Sequence, residues 1–201
     1  MNEIKENPNL IFDNINKLLN IGASDRKHPF HTPIFSNINE LNLINSRVVV
    51  LRNYDSYYKA LNFHTDYRSP KIFELTKNNN SYFVFYDNKI KIQLRINTES
   101  IIHNRNAITK KAWENTQLQS RKCYLTKKTP SSKTKIPEDG LPKHLQGVDP
   151  SRDESETGYE NFTVIENIIK NIDWLRLDSS GHKRLNINLI NNEPKFDWLI
   201  P

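Results

Sequence analysis

The chain is poor in cysteine and glycine. Among its 201 residues there is one cysteine, Cys123, and there are five glycines. One cysteine excludes an internal disulfide and any Cys-rich zinc site, and it fits a reducing compartment. The few glycines form no Gly-rich phosphate loop, which argues against a dinucleotide fold, and no Ser/His/Asp arrangement is recognisable. Long apolar runs are missing as well: none approaches the roughly 20 residues a membrane helix requires. The opening stretch MNEIKENPNLIFDNINKLL mixes acids, Asn and Pro into its apolar positions, so it lacks the basic start and apolar core of a signal peptide. These absences lead us to expect a soluble, cytoplasmic protein. His28, His31, His103, His144 and His182 are dispersed without metal-ligand spacing, and no metal site is expected.

What is present is positive charge, a formal +6, which suits an anionic ligand. Nucleic acid is the first partner such a surplus suggests. The lysines are scattered, however, apart from a cluster in one loop-like region, which is the pattern of an ordinary solvated surface.

At this length we expect a single domain, 1–201. Leu10, Ile11, Ile15, Leu18 and Leu19 recur at helical spacing between Pro8 and Asn20, with Gly22 just beyond, and predict an N-terminal helix. SRVVVLRNYD and ALNFHTD read as strands, the first looking buried. SPKIFELTK reads as a short helix ended by an Asn cluster. SYFVFYD and KIKIQLRIN form a hairpin about Asp87 and Asn88. Asn104 to Leu125 reads as helical. From Thr126 to Glu160 large apolar residues nearly vanish, and we expect a long loop, mobile in part. Four strand-like runs follow: NFTVIENI, IDWLRLD, KRLNINLI and KFDWLI. The expected class is mainly β with flanking helices (α+β), a closed or nearly closed barrel.

The stretch NFHTDYRSPK, Asn62 to Lys71, carries the sharpest signal. Ser69 suits an N-cap and Pro70 a first helical residue, so Arg68, Lys71 and the helix start could hold a phosphate-sized anion. The same residues also describe a plain helix cap with two solvated cations. In SRVVVLR, Arg47 and Arg52 lie an odd number of positions apart, so a regular strand would point them to opposite faces. Gln93 interrupts an apolar strand, and its amide needs a hydrogen-bond partner if buried.

The order RVVVLR, NFHTDYRSPK, KIQLRI resembles the pyridoxamine 5′-phosphate oxidase-like flavoproteins, well over Arg47 to Ile96 and more loosely in the C-terminal strands. That resemblance implies a split β-barrel binding FMN at a homodimer interface. It implies that Arg47 and Lys71 hold the FMN phosphate, with Thr65 and Ser69 adding hydroxyl contacts. Val48, Arg68 and His64 belong to the same implied site, Gln93 to the isoalloxazine edge, and Arg52 to the flavin ring. DWLRLDSSGHKRLNI resembles the family's terminal signature and implies Trp174 and Arg184 of a second subunit over the flavin. The TDxRSxK pattern is similar to an oxidase-related branch without a settled substrate, and AWENTQLQSR, with Trp113 and Arg121, is similar to it too.

For a substrate such as pyridoxamine 5′-phosphate, the resemblance implies Arg52, Arg121 and His182 as contacts. Ser180 stands where the oxidases carry an Arg, and Gln117 and Arg121 do not reproduce their phosphate cradle. An FMN-dependent oxidoreductase is the leading expectation. A non-catalytic FMN-binding protein and a basic nucleic-acid-binding barrel are the alternatives.

Overall fold

The computed structural model describes residues 7–201. The Asn7 side chain accepts from the backbone N–H groups of Asn9 and Leu10, and with Pro8 at the first helical position this cap opens α1, Pro8–Ser24. Ile11, Phe12, Ile15, Leu18 and Leu19 are its buried stripe. The stripe packs through Phe12 on Phe196, and Tyr54 donates to Asn16. Gly22 does not end this helix as expected: α1 runs through it to Ser24. A Cβ at position 22 would lie 2.7 Å from Phe30 Cβ, so the glycine serves close packing.

The chain divides by its contacts into two units. The first comprises residues up to Phe63, Asn78–Ile101 and Glu166–Pro201, the second His64–Lys77 and Ile102–Ile165. The strands are β1 Ile34–Ile38, β2 Ile44–Val48, β3 Asn53–Asp55, β4 Ala60–Asp66, β5 Asn80–Asp87, β6 Ile92–Asn104, β7 Phe162–Arg176, β8 Lys183–Ile190 and β9 Glu193–Leu199. They form one sheet in the order β2-β1-β5-β6-β7-β4-β3, with β8 pairing β7 and β9.

In the first unit, period-2 alternation separates two sheet faces. The inward face carries Phe35, Phe63, Phe83 and Phe85, all buried, with ring centroids 4.8 Å apart for Phe35 and Phe63 and 5.1 Å for Phe35 and Phe83. Each such pair adds about 0.5–1.5 kcal/mol beyond its buried area. On the other face the registers line up Val48, Ile34, Val84 and Arg95 across β2, β1, β5 and β6. The expected strand SRVVVLRNYD is instead split into β2 and β3, and β2 is not buried: Val48 is 65% exposed. β2 pairs only with β1, which leaves its outward face uncovered in a single chain.

The C-terminal part holds three strands where four runs were expected, because NFTVIENI and IDWLRLD are one continuous β7. Asn167 and Asn171 look like breaks in the sequence, yet the sheet satisfies them. Asn167 Nδ2 donates to the Leu61 carbonyl at 2.8 Å, and Asn171 Nδ2 donates to Asn186 Oδ1 at 2.7 Å.

The second unit carries the helices α2 Pro70–Lys77, α3 Ala107–Glu114, α4 Leu118–Arg121 and α5 Arg152–Glu156. An Asn106–Thr109 capping box opens α3. Trp113, Tyr124, Phe162 and Val164 form its apolar cluster. Between Thr126 and Glu160 the chain has 3-10 turns at Lys143–Leu145 and Thr157–Asn161 besides α5, with Leu145 and Ser155 buried. Among the described residues no helix is long and apolar enough to cross a membrane.

Candidate functional site

β4 ends at Asp66 and α2 begins at Pro70, so the expected anion motif falls on a strand-to-helix turn. Lys71 Nζ donates to Thr65 Oγ1 at 2.9 Å and to Ser69 Oγ at 2.5 Å. Ser69 is buried and Thr65 half-buried. Expected as an N-cap, the Ser69 hydroxyl receives the ammonium instead. Both hydroxyls act as acceptors toward Lys71, which leaves each O–H able to donate. One cation and two such hydroxyls form a cluster of oxyanion donors.

Arg68, expected beside Lys71 as an anion ligand, is committed elsewhere. Its Nε and Nη2 donate to the two Asp66 oxygens at 3.0 and 2.7 Å, and Nη1 and Nη2 reach the Thr126 carbonyl and hydroxyl at 3.0 Å. The Asp66 hydrogen bonds push the guanidinium's pKa further up. Arg68 therefore pins Thr126 to the turn, and its charge is met inside the protein. His64 packs edge-on against Phe162, ring centroids 4.8 Å apart.

In the first unit, Arg47 on β2 donates to Asn37 Oδ1, and its guanidinium lies 5.7 Å from the Phe35 ring centre. Val48 turns to the outward face. Arg52 is exposed and lies beyond the end of β2, so strand alternation does not set its direction. Its backbone N–H donates to the Asn62 carbonyl at 2.8 Å. Gln93 is half-buried on the outward face of β6, with Ile92 and Leu94 turned inward and buried. Its side-chain amide makes no hydrogen bond among the described residues.

Trp174 is 2% exposed, and its indole N–H has no acceptor among the described residues. β7 places it opposite the buried Leu185, so the ring is packing within this chain. Arg184 meets Asp173 instead: Nε donates at 3.1 Å to Oδ1 and Nη2 at 2.7 Å to Oδ2. Arg95 donates to the same Oδ2. Burial alone would raise the Asp173 pKa, but the Arg184 hydrogen bonds and the Arg95 charge outweigh it and hold the carboxyl below its ordinary value. Sequence reasoning missed Asp173 and Arg95. The only signal was an acid set among the apolar residues of IDWL. His182 is exposed, and its Nδ1 accepts from the Asp178 backbone N–H at 3.1 Å.

Arg121, expected to meet a substrate, is 2% exposed in the second unit. Its guanidinium stacks 4.5 Å from the Trp113 ring centre and donates to Glu156 Oε1 at 2.5 Å, Ser155 Oγ at 3.1 Å and the Trp113 carbonyl at 2.7 Å. Nε donates to the Thr116 carbonyl at 3.1 Å. Glu156 closes the network by accepting from Trp113 Nε1 at 2.9 Å. This arginine is a structural tie buried within the second unit. The second unit also contains a cavity of about 310 Å³, bordered by Arg68, Tyr124, Thr126, Leu145 and Glu154 among others. Thr65, Ser69 and Lys71 do not line it. No cluster of metal-ligating side chains occurs among the described residues.

Residues 14–104 match the family described as pyridoxamine 5′-phosphate oxidase, FMN-binding domain. No curated protein sequence matches the chain. Among solved structures, a pyridoxamine 5′-phosphate oxidase-related, FMN-binding protein from Nostoc punctiforme superposes with a TM-score of 0.73 at 16% identity, covering 94% of this chain and 96% of its own. PhzG from Burkholderia lata, solved with tetrahydrophenazine-1-carboxylic acid, gives 0.71 at 15% identity over 100% and 97%. A general stress protein 26-related protein from Clostridium acetobutylicum gives 0.53 at 12% identity over 94% of each chain. These likenesses establish the fold, the antiparallel FMN-binding split-barrel type with flanking helices that the sequence led us to expect.

Proposed function

From a chain whose residues 14–104 match an FMN-binding domain of the pyridoxamine 5′-phosphate oxidase family, we propose an FMN-dependent oxidoreductase that works as a homodimer. The observation that carries it is the Lys71 ammonium held between the Thr65 and Ser69 hydroxyls. These three groups fit a phosphate monoester: the ammonium supplies charge, and each hydroxyl has a proton to give. Gln93, whose amide has no partner among the described residues, serves the polar edge of the isoalloxazine. Arg52, together with the partner subunit's Arg184, brings positive charge toward the ring.

FMN, when bound, supplies a ring that accepts a hydride equivalent from a donor and hands electrons on, to oxygen or another acceptor. The protein's part is to anchor the phosphate, orient the ring and set the charge around it. Leu41, Leu43, Ile44 and Val48 are exposed apolar residues of the β1–β2 region and supply a surface for a second copy. Pyridoxamine 5′-phosphate as the electron donor is the narrower form of this reading. With Arg121 buried, only Arg52 and His182 of the expected contacts remain for it.

The test is the visible absorbance of the purified protein, followed by denaturation and mass identification of what is released. FMN near one per chain is expected, reducible by a donor amine or a reduced nicotinamide. FMN that no such donor reduces would favour a non-catalytic flavin-binding role. A colourless protein that takes up no added FMN overturns the proposal.

A further inference from the structure

The second unit's cavity, about 310 Å³ in volume, is separate from the anion turn: Arg68 borders it, and Thr65, Ser69 and Lys71 do not. That volume lies at the lower end of the about 300–1,000 Å³ typical of small-molecule pockets. The loop around it is tied down by hydrogen bonds. Arg68 holds the Thr126 carbonyl and hydroxyl at 3.0 Å, and the Lys127 N–H donates to the Gly140 carbonyl at 3.0 Å, just before Pro142 and Leu145 reach the cavity. Leu145 is 2% exposed, so the chain is anchored there as well. The hollow is a formed feature of the unit.

Tyr124, Leu125, Pro142 and Leu145 supply apolar lining, and the polar lining is rich in unused acceptors. Glu154 accepts from His144 Nε2 at 2.5 Å through Oε1, which leaves Oε2 without a partner among the described residues. Glu160 makes no hydrogen bond among them; its ion-pair partner, Arg105, stands 3.8 Å away. Asn161 Nδ2 donates to the Tyr124 carbonyl at 2.9 Å. A carbonyl can only accept, so the amide's orientation is fixed and Oδ1 keeps its acceptor capacity. Donors are fewer. Arg68 commits its guanidinium to Asp66 and Thr126, and Lys127 is exposed, where water screens its charge. Spare acceptors beside apolar walls suit a ligand that donates.

We propose that this cavity is a ligand site of its own, taking a small organic molecule that carries a protonated amine on an apolar body. An ammonium has three N–H donors and no acceptor, which matches the Glu154, Glu160 and Asn161 oxygens. The body lies against Tyr124, Leu125 and Leu145. Hydrogen bonds between an ammonium and a carboxylate are roughly twice as strong as neutral ones, so the amine's charge is what the site selects. The proposal does not rest on FMN, because every residue it uses borders the cavity and none belongs to the phosphate turn's Lys71 cluster.

The test titrates the full chain, as purified, with phenethylamine, tyramine and hexylamine, and with the three alcohols that carry a hydroxyl in place of each amine, by calorimetry. At least one amine should bind about ten- to hundredfold tighter than its alcohol. The double variant Glu154→Gln, Glu160→Gln should lose that advantage while still binding the apolar body. The two side chains are 34% and 65% exposed, and both substitutions keep the shape, so folding should survive. If the double variant nevertheless melts early, Glu160→Gln alone decides, and it should lose part of the advantage. No binding by any of the three amines, or equal binding of amine and alcohol, overturns the proposal. A preference that persists in the variants places the amine elsewhere on the protein and overturns it too. An amine that acts as electron donor would bleach bound flavin in wild type and variants alike, so the FMN reading stands or falls separately.

Discussion

Lys71 and Arg121 look alike in the sequence, each a cation near a motif, and the structure gives them different work. Lys71 is partly exposed beside two hydroxyls, where an incoming oxyanion can meet all three. Lys71→Ala should weaken FMN binding by ten- to hundredfold, the about 1.5–3 kcal/mol of a charge-assisted hydrogen bond, with little change in melting temperature. Fluorescence titration of the apoprotein with FMN measures this, and an unchanged dissociation constant would remove Lys71 from the phosphate site. Arg121 is closed in by Trp113, Ser155 and Glu156. Arg121→Ala would take the guanidinium's donors from the Trp113 and Thr116 carbonyls, the former keeping its bond from the Thr116 N–H, and open a void beside the indole. We expect a loss of about 2–4 kcal/mol, read by denaturant unfolding, with FMN affinity unaltered. A stable variant with a raised KM would restore Arg121 to the substrate site.

Elements with a regular period were legible in the sequence, and those held by distant partners were not. The stripe of α1 and the β5–β6 hairpin follow from spacing alone. β1, IFSNI, went unread because it is short and half polar. Gly22 reads as a stop signal, yet it lies inside α1 because Phe30 packs against it. Gly22→Ala tests this at the scale of the helix. The added methyl gains helix propensity, about 1 kcal/mol, but must push against Phe30 Cβ and its carbonyl carbon, at 2.7 and 2.9 Å. Overpacking of that kind costs about 1–3 kcal/mol, so a lower melting temperature is expected, and a stabilised variant would mean that Phe30 yields easily. The same distinction holds for the candidate site. Thr65, Ser69 and Lys71 were legible because they lie within seven residues. Asp66 as the partner of Arg68, Glu156 as that of Arg121 and Asp173 as the tie between Arg95 and Arg184 were not, since a charge in a sequence does not show what neutralises it. The resemblance placed Trp174 by motif, while its burial opposite Leu185 within one chain has no signal in the sequence.

At the scale of the whole molecule, the outward face of the first unit's sheet holds the argument for a second copy. Ile34, Ile44 and Val48 lie on that face of β1 and β2, the last two 79% and 65% exposed. A β-branched strand edge left open in water is an aggregation hazard unless something covers it. The β-branched run SRVVVLR, which includes Val48, looked buried in the sequence, and a homodimer would make that reading true of the assembly though it is not true of one chain. Ile44→Glu tests it without touching the residues proposed to hold FMN. A carboxylate there would have to be desolvated in the interface, a cost of several kcal/mol, while in a monomer it would be solvated at no penalty. Light scattering should give twice the 23.7 kDa chain mass for the wild type and the single mass for the variant. If the flavin is held at the interface, the monomeric variant should also lose its colour. A variant that dimerises as the wild type does would move the interface elsewhere, and a monomer that keeps full FMN would place the whole cofactor site within one chain.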